Sequence, residues 1–202
     1  QKLKVIGLTG GIASGKTTVS NYLRELGAVI IDTDILAREI VEPGTPAWQE
    51  IVDYFGPGVL TPEGNLDRLA LGQIVFSNPV AREKLNQMTH PRIKEKTREQ
   101  LDHLAVERPE TVAVVDAPLL IEASFTTLVD QIWLVAVDEQ TQIARLKARN
   151  GMSEEEARSR IASQMALSEK LKLADKVIDN SGSLAATLSQ VRGLWDELNR
   201  EH

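Results

Sequence analysis

The sequence predicts an α/β fold: a doubly wound, five-stranded parallel sheet carrying a helical insertion and a helical lid. Two observations carry that prediction first. Five short apolar runs, "LKVIGL" (3–8), "AVIID" (28–32), "TVAVVD" (111–116), "QIWLVAV" (131–137) and "KVID" (176–179), are rich in Val and Ile without clean alternation, as strands covered on both faces are. Between them lie patterns of helical period, so strands and helices alternate along the chain. A third observation, a glycine-rich turn directly after the first run, narrows the fold further below.

The elements follow in order. A helix over about 16–26 joins the first two strands and is stopped by Gly27. Nearly eighty residues then separate strands two and three, far more than a crossover needs. That stretch holds the turn-rich segments "EPGTP" (42–46) and "FGPGVLTPEGN" (55–65) and a long helical pattern from about 79 to 107. Residues 40–108 therefore read as a mostly helical insertion over one edge of the sheet. After the fourth strand come two helices broken at Asn150-Gly151, the second opened by a capping box of Ser153 and Glu156. A last helix over about 183–200 carries Leu184, Leu188, Val191, Leu194, Trp195 and Leu198 at helical spacing. The expected organisation is one domain over 1–202: a core (1–39, 109–140, 174–202), the insertion (40–108) and a lid (141–173).

Composition narrows the function classes. The 202 residues suffice for one α/β domain with a sizeable core, and 42% hydrophobic with 26% charged residues is ordinary for a globular chain. A net charge of −6 argues against a broad footprint for nucleic acid. Any anionic ligand must then be held by a local cluster of donors. The absence of cysteine excludes disulfides, thiolate metal sites and cysteine nucleophiles. No apolar stretch approaches the ~18 residues of a membrane span. The opening "QKLKVIGLTGG" is too short in its apolar part for a signal peptide, so a cytoplasmic protein without a membrane role is expected.

The third observation is Gly10-Gly11-Ile12-Ala13-Ser14-Gly15-Lys16-Thr17, which satisfies G-x-x-x-x-G-K-[ST] between a strand and a helix. It makes the expected fold one of the P-loop NTPase type. Glycines let the loop wrap closely, so that backbone N–H groups point at phosphate oxygens. The helix that follows adds its N-terminal partial charge. Lys16 supplies a mobile cation, Thr17 offers its hydroxyl to Mg²⁺, and ATP is the expected nucleotide, held by residues Gly11 to Thr18. No Asn-Lys-x-Asp base-reading motif is present, and the two D-x-x-G matches, "DYFG" (53–56) and "DNSG" (179–182), read as turns.

"AVIIDTDILAR" places Asp32 at the end of the second strand and Asp34 at the start of the next helix, with Arg38 four residues further on. Ligands of open α/β sheets bind at the carboxyl ends of strands. A carboxylate there can take the proton of an attacking hydroxyl, and a second can orient Mg²⁺. Asp34 as a helix N-cap and Asp32 as a solvated strand end is the competing reading. Asp116, ending the third strand, is the expected carboxylate for the metal shell. The three histidines, His90, His103 and His202, are scattered. In "ARLKARNG", Arg145 and Arg149 share a helix face, and guanidinium forks from a lid suit a transferred phosphoryl group.

Taken in order, "GLTGGIASGKTT" (7–18), "DTDILAR" (32–38), "HPRI" (90–93), "DAPLLIE" (116–122) and the "Q…LADKVIDNSG" stretch (164–182) resemble the dephospho-CoA kinase family over nearly all of residues 3–199. The resemblance implies phosphoryl transfer from ATP to the ribose 3′-hydroxyl of dephospho-CoA, the last step of coenzyme A biosynthesis. It implies Asp34 as base and Arg149 or Arg145 as the lid arginine. Arg38, His90, Thr9 and Leu119 would hold the acceptor, and Asn180 would flank the adenine. Family members usually have Gly where this chain has Ala13, and a positive φ there costs an alanine ~1–2 kcal/mol. Pro91 of "HPRI" also fits the first turn of a helix that starts after His90. A shikimate-type kinase shares the Asp-x-Asp but leaves the 40–108 insertion unexplained. A regulatory ATPase would need a water-positioning residue and a partner surface, and neither is evident. Protein partners are not legible.

Overall fold

A computed structural model describes residues 2–201. The chain divides into two compact units, Gln1–Ile31 with Leu104–His202, and Asp32–His103.

The first unit is built on the sheet. Its strands are β1 (Lys4–Gly10), β2 (Val29–Asp32, whose last residue opens the second unit), β3 (Val112–Asp116), β4 (Gln131–Ala136) and β5 (Lys176–Asp179). They lie in the order β2-β3-β1-β4-β5, and β1 pairs in parallel with both β3 and β4. All five predicted strands are present. The order puts β1 in the centre, so the turn that leaves it emerges beside the carboxyl ends of β3 and β4, at the point where the winding reverses. Leu8 stands opposite Asp116 of β3, and Gly10 opposite Val135 of β4.

Period two along the strands sends alternate residues to one face. Ile6 and Leu8, Val112 and Val114, Trp133 and Val135, with Ile178, form one buried cluster. Two helices close it, α1 (Lys16–Glu25) through Val19 and Leu23 and α9 (Leu184–Arg200) through Val191 and Leu198. Leu23 and Val191 are fully buried, the faces predicted by their helical spacing. Between β4 and β5 run α6 (Glu139–Asn150), α7 (Glu154–Ala162) and a short α8 (Leu167–Leu173) that no strong periodicity announces. Gly151 ends α6 at φ 64°, and Ser153 accepts from the Glu156 amide at 3.2 Å, so the predicted break and cap are both formed. Ile143, Leu146 and Ala157 make a second cluster against which Ile12 and Ala13 pack.

The second unit is helical: α2 (Thr33–Glu39), α3 (Pro46–Phe55), α4 (Arg68–Ser77) and most of α5 (Pro79–Glu107). Its own core gathers Ile51, Val59 and Leu71, with Phe55, Leu85 and Met88 against them. Arg92 holds Glu50 through both terminal guanidinium nitrogens, at 2.9 and 3.0 Å. The first-turn reading of Pro91 is overturned: it lies inside α5, which runs unbroken for 29 residues. Proline brings no N–H for the carbonyl one turn earlier and crowds it. The carbonyl that loses its donor is that of Gln87; on either side of it Thr89 Oγ1 donates to the Leu85 carbonyl at 2.9 Å and Arg92 Nη1 to the Met88 carbonyl at 2.8 Å. Among the described residues, no helix is long and apolar enough to cross a membrane.

Ser153→Ala removes the acceptor for the first turn of α7 and is expected to cost about 1 kcal/mol, read as a lower urea midpoint at unchanged m-value.

Candidate active site

The turn after β1 owes its shape to contacts that come from behind it. The carbonyls of Gly11 to Gly15 all accept hydrogen bonds. Gly11 O takes the Ser14 amide at 3.1 Å, and Gly15 O takes the Thr18 amide at 3.1 Å. The three between them are held by side chains: Ile12 O by Gln142 Nε2 at 2.9 Å, Ala13 O by Arg145 Nη1 at 3.1 Å, and Ser14 O by Asn180 Nδ2 at 2.7 Å. Gln164 Oε1 accepts from the Ile12 amide at 2.8 Å. With its carbonyls engaged in this way, the loop leaves the amides of Gly15, Lys16 and Thr17 outside its own hydrogen bonding. Those amides also open α1, whose N-cap Gly15 brings no capping side chain. An anion placed there would meet unsatisfied donors and the positive end of a helix together.

Two positions in the loop depend on their residue type. Gly15 sits at φ 83°, and a Cβ on it would run into the Asn180 amide. Ala13 sits at φ 59°, the left-handed conformation whose cost to an alanine is ~1–2 kcal/mol. Its methyl packs on the Ile143–Leu146–Ala157 cluster, which offsets part of that strain.

Lys16 and Asp116 form an ion pair through Nζ and Oδ1, with side chains only 15% and 8% exposed. The strand order dictates this pair: Asp116 ends β3 and Lys16 begins the helix that leaves β1. Thr17 and Thr18 are exposed on the first turn of α1. Among the described residues, no group of three or more His, Cys, Asp or Glu gathers into a cage for a metal ion.

Arg145 and Arg149 separate in their surroundings. Arg145 bridges the loop to β5, giving Nη1 to Ala13 O and Nη2 to Asn180 O at 2.8 Å. Arg149 is exposed in the last turn of α6. Asn180 is buried, and both ends of its amide are committed: Nδ2 to Ser14 O and Oδ1 to the Thr187 hydroxyl at 2.6 Å. Its neighbour Asp179 accepts from the Ser181 amide, which holds that carboxyl below its usual range and makes "DNSG" the turn that was expected. Thr9 is fully buried and gives its hydroxyl to Pro118 O at 3.2 Å, which fixes the backbone just before Leu119, itself 39% exposed.

In the second unit the helix cap falls to Asp32 rather than Asp34. Asp32 Oδ1 accepts from the Asp34 amide at 2.9 Å, and Asp34 stands exposed in the first turn of α2, with Arg38 exposed one turn on. His90 is half-buried in α5. Desolvation pushes its imidazole below the ordinary value of 6.5, opposed by the charge of Glu83.

Lys16, Thr17, Asp116, Arg145 and Asn180 are thus assembled around one loop in the first unit. Sequence reasoning missed Gln142 and Thr187, and marked Gln164 only as the start of a family stretch, with no role. The P-loop motif contains no trace of these contacts, because Gln142 and Gln164 reach the loop from α6 and from the turn after α7, and Thr187 of α9 acts through Asn180.

Fold and loop together define a P-loop kinase of the small-molecule type. The dephospho-CoA kinase family profile matches residues 4–186. The dephospho-CoA kinase of Moorella thermoacetica is 50% identical over 196 residues, 97% of this chain and 92% of that one. That of Carboxydothermus hydrogenoformans is 52% identical over 189 residues, 94% and 91% of the two chains. The solved dephospho-CoA kinase of Campylobacter jejuni superposes with a TM-score of 0.73 at 30% identity, covering 97% of each chain. The chain belongs to the dephospho-CoA kinase family.

Two outcomes are expected from the site as described. Asn180→Ala strands the Ser14 carbonyl and leaves the Thr187 hydroxyl only its longer bond to the Ser183 carbonyl, and should cost roughly 1–3 kcal/mol in denaturant unfolding. For His90, the unfolded chain binds its proton at a higher pH than the folded one. Stability carried by the neutral imidazole is therefore present above its ordinary value and declines as pH falls from there toward the lowered one. His90→Gln should show a smaller loss of Tm than the wild type between about pH 7.5 and about pH 5.5.

Proposed function

We propose that this chain transfers the γ-phosphoryl group of ATP to the ribose 3′-hydroxyl of dephospho-CoA, giving CoA and ADP. The observation that carries the proposal is the phosphate loop, braced through its carbonyls so that its amides are left for an anion, in a chain of this family. Phosphoryl transfer asks a protein for positioning and charge stabilisation more than for covalent chemistry. The amides of Gly15 to Thr17 hold the β- and γ-phosphate oxygens. Lys16 exchanges its contact with Asp116 for those same oxygens, a short move between two anionic partners.

A hydroxyl on Thr17 and the carboxylate of Asp116 are the oxygen donors that would hold Mg²⁺, an ion that keeps most of its waters and phosphate ligands, and Asp32 would be a further carboxylate for it. When bound, that ion neutralises charge on the phosphate oxygens. Asp34 accepts the proton of the 3′-hydroxyl as the oxygen bonds to the γ-phosphorus and the bond to the β-phosphate oxygen breaks. Arg149, unlike Arg145, has its guanidinium free of the loop and steadies the transferred group. Arg38, His90 and Leu119 contact the acceptor, with residues 40–108 as the acceptor-binding segment and 141–173 as the lid. A reducing cytoplasmic setting suits a chain without cysteine.

The test is ADP release coupled to the acceptor. Asp34→Asn is expected to lower kcat by ~10²–10⁴ with ATP binding largely kept, the range for a positioned general base. Turnover near wild type would move the base elsewhere. Lys16→Ala should depress turnover severely, and an unchanged rate would remove the loop from the mechanism.

A further inference from the structure

Behind the phosphate loop lies a small cavity of about 20 Å³, lined among others by Gly11, Ser14, Gln142 and Lys170. Two of these residues bring buried polar atoms with no protein hydrogen bond. Ser14 is 2% exposed and its hydroxyl finds no partner; Lys170, from α8, is 1% exposed and its ammonium finds none either. The opposite charge beside Lys170 is Glu122, at 3.4 Å, an ion pair too long for a strong hydrogen bond. A buried ammonium normally needs several acceptors as well as a counter-charge. The cavity is large enough for one water and too small for any substrate.

We propose that a single water held in this cavity accepts from Lys170 Nζ and is hydrogen-bonded to Ser14 Oγ, which makes Lys170 a positioning residue for the phosphate loop. Ser14 is then fixed at both ends, its carbonyl by Asn180 and its hydroxyl by the water. That residue directly precedes Gly15, where the amides left for the nucleotide begin. The link also runs from α8, in the segment that carries the lid, to the back of the loop. Lys170 touches no substrate. Its contribution is to hold the amides in place before ATP arrives, so its loss falls on ATP affinity.

The inference rests on the loop being the ATP site, and the experiment separates the two. For Lys170→Met, KM for ATP is expected to rise about tenfold, the worth of a charge-assisted hydrogen bond, with kcat falling much less. The double variant Glu122→Gln/Lys170→Met removes the orphaned carboxylate charge. It should recover Tm toward wild type while KM for ATP stays high. Recovery of both would mean that Lys170 only neutralises Glu122, and would overturn the proposal. A high-resolution crystal structure of the wild type decides independently of activity, and remains decisive if the single variant does not fold. A water within hydrogen-bond distance of both Ser14 Oγ and Lys170 Nζ is expected; a dry cavity refutes the bridge. Wild-type protein without acceptor-dependent turnover, but with this water in place, would count against the function and not against the bridge.

Discussion

A phosphate loop works only if its carbonyl oxygens point away from the anion it binds, and a short loop cannot arrange that alone. Each carbonyl needs a donor on its far side. Here the donors that do not come from the loop's own turns come from the winding of the fold. Gln142 and Arg145 hang from α6, which follows β4, and Asn180 follows β5. The order β2-β3-β1-β4-β5 sets those two strands on one side of β1, so the elements that leave them reach the loop from that side. On the other side stands β3, whose last residue, Asp116, receives Lys16. The sheet order thus distributes carbonyl donors to one flank of the loop and a carboxylate to the other.

This arrangement gives the two arginines of α6 different work. Arg145 spends both terminal nitrogens on backbone carbonyls, Ala13 and Asn180, and so ties α6 to the loop and to the residue that follows β5. Arg149, one turn later, has no such duty. The same bracing accounts for Ala13 in a conformation that favours glycine. A left-handed alanine persists where its surroundings over-determine it. Its carbonyl is pinned by Arg145 and its methyl packs on Ile143, Leu146 and Ala157.

Much of this was legible in the residues. Runs of Val and Ile marked all five strands, because buried parallel strands leave continuous apolar stretches. Gly151 and the Ser153–Glu156 pair marked the break between α6 and α7, because cap chemistry is local. The loop motif named Lys16 and Thr17, and strand position named Asp116. What escaped was interaction at long sequence separation. A glutamine that bonds a carbonyl 130 residues away leaves no spacing rule, so Gln142 was silent, and Gln164 stood in a quoted stretch without its contact to the Ile12 amide being legible. Pro91 offered a helix start within "HPRI" as a second reading, but the helical pattern over about 79–107 is the one that holds, as a continuous helix that carries the proline inside it. Asp32 and Asp34 were legible as a pair at a strand end, and the competing reading with Asp34 as the cap falls away because Asp32 takes that duty.

The central claim is that this loop serves transfer to an alcohol rather than hydrolysis, and the product reports on it directly. Wild-type protein should be incubated with ATP and dephospho-CoA, and the new phosphate located by phosphorus NMR and mass. The account predicts one phosphate gained on the ribose 3′-oxygen for each ADP formed. Inorganic phosphate released at the same rate with or without the acceptor, or a phosphate found on another hydroxyl, would contradict it.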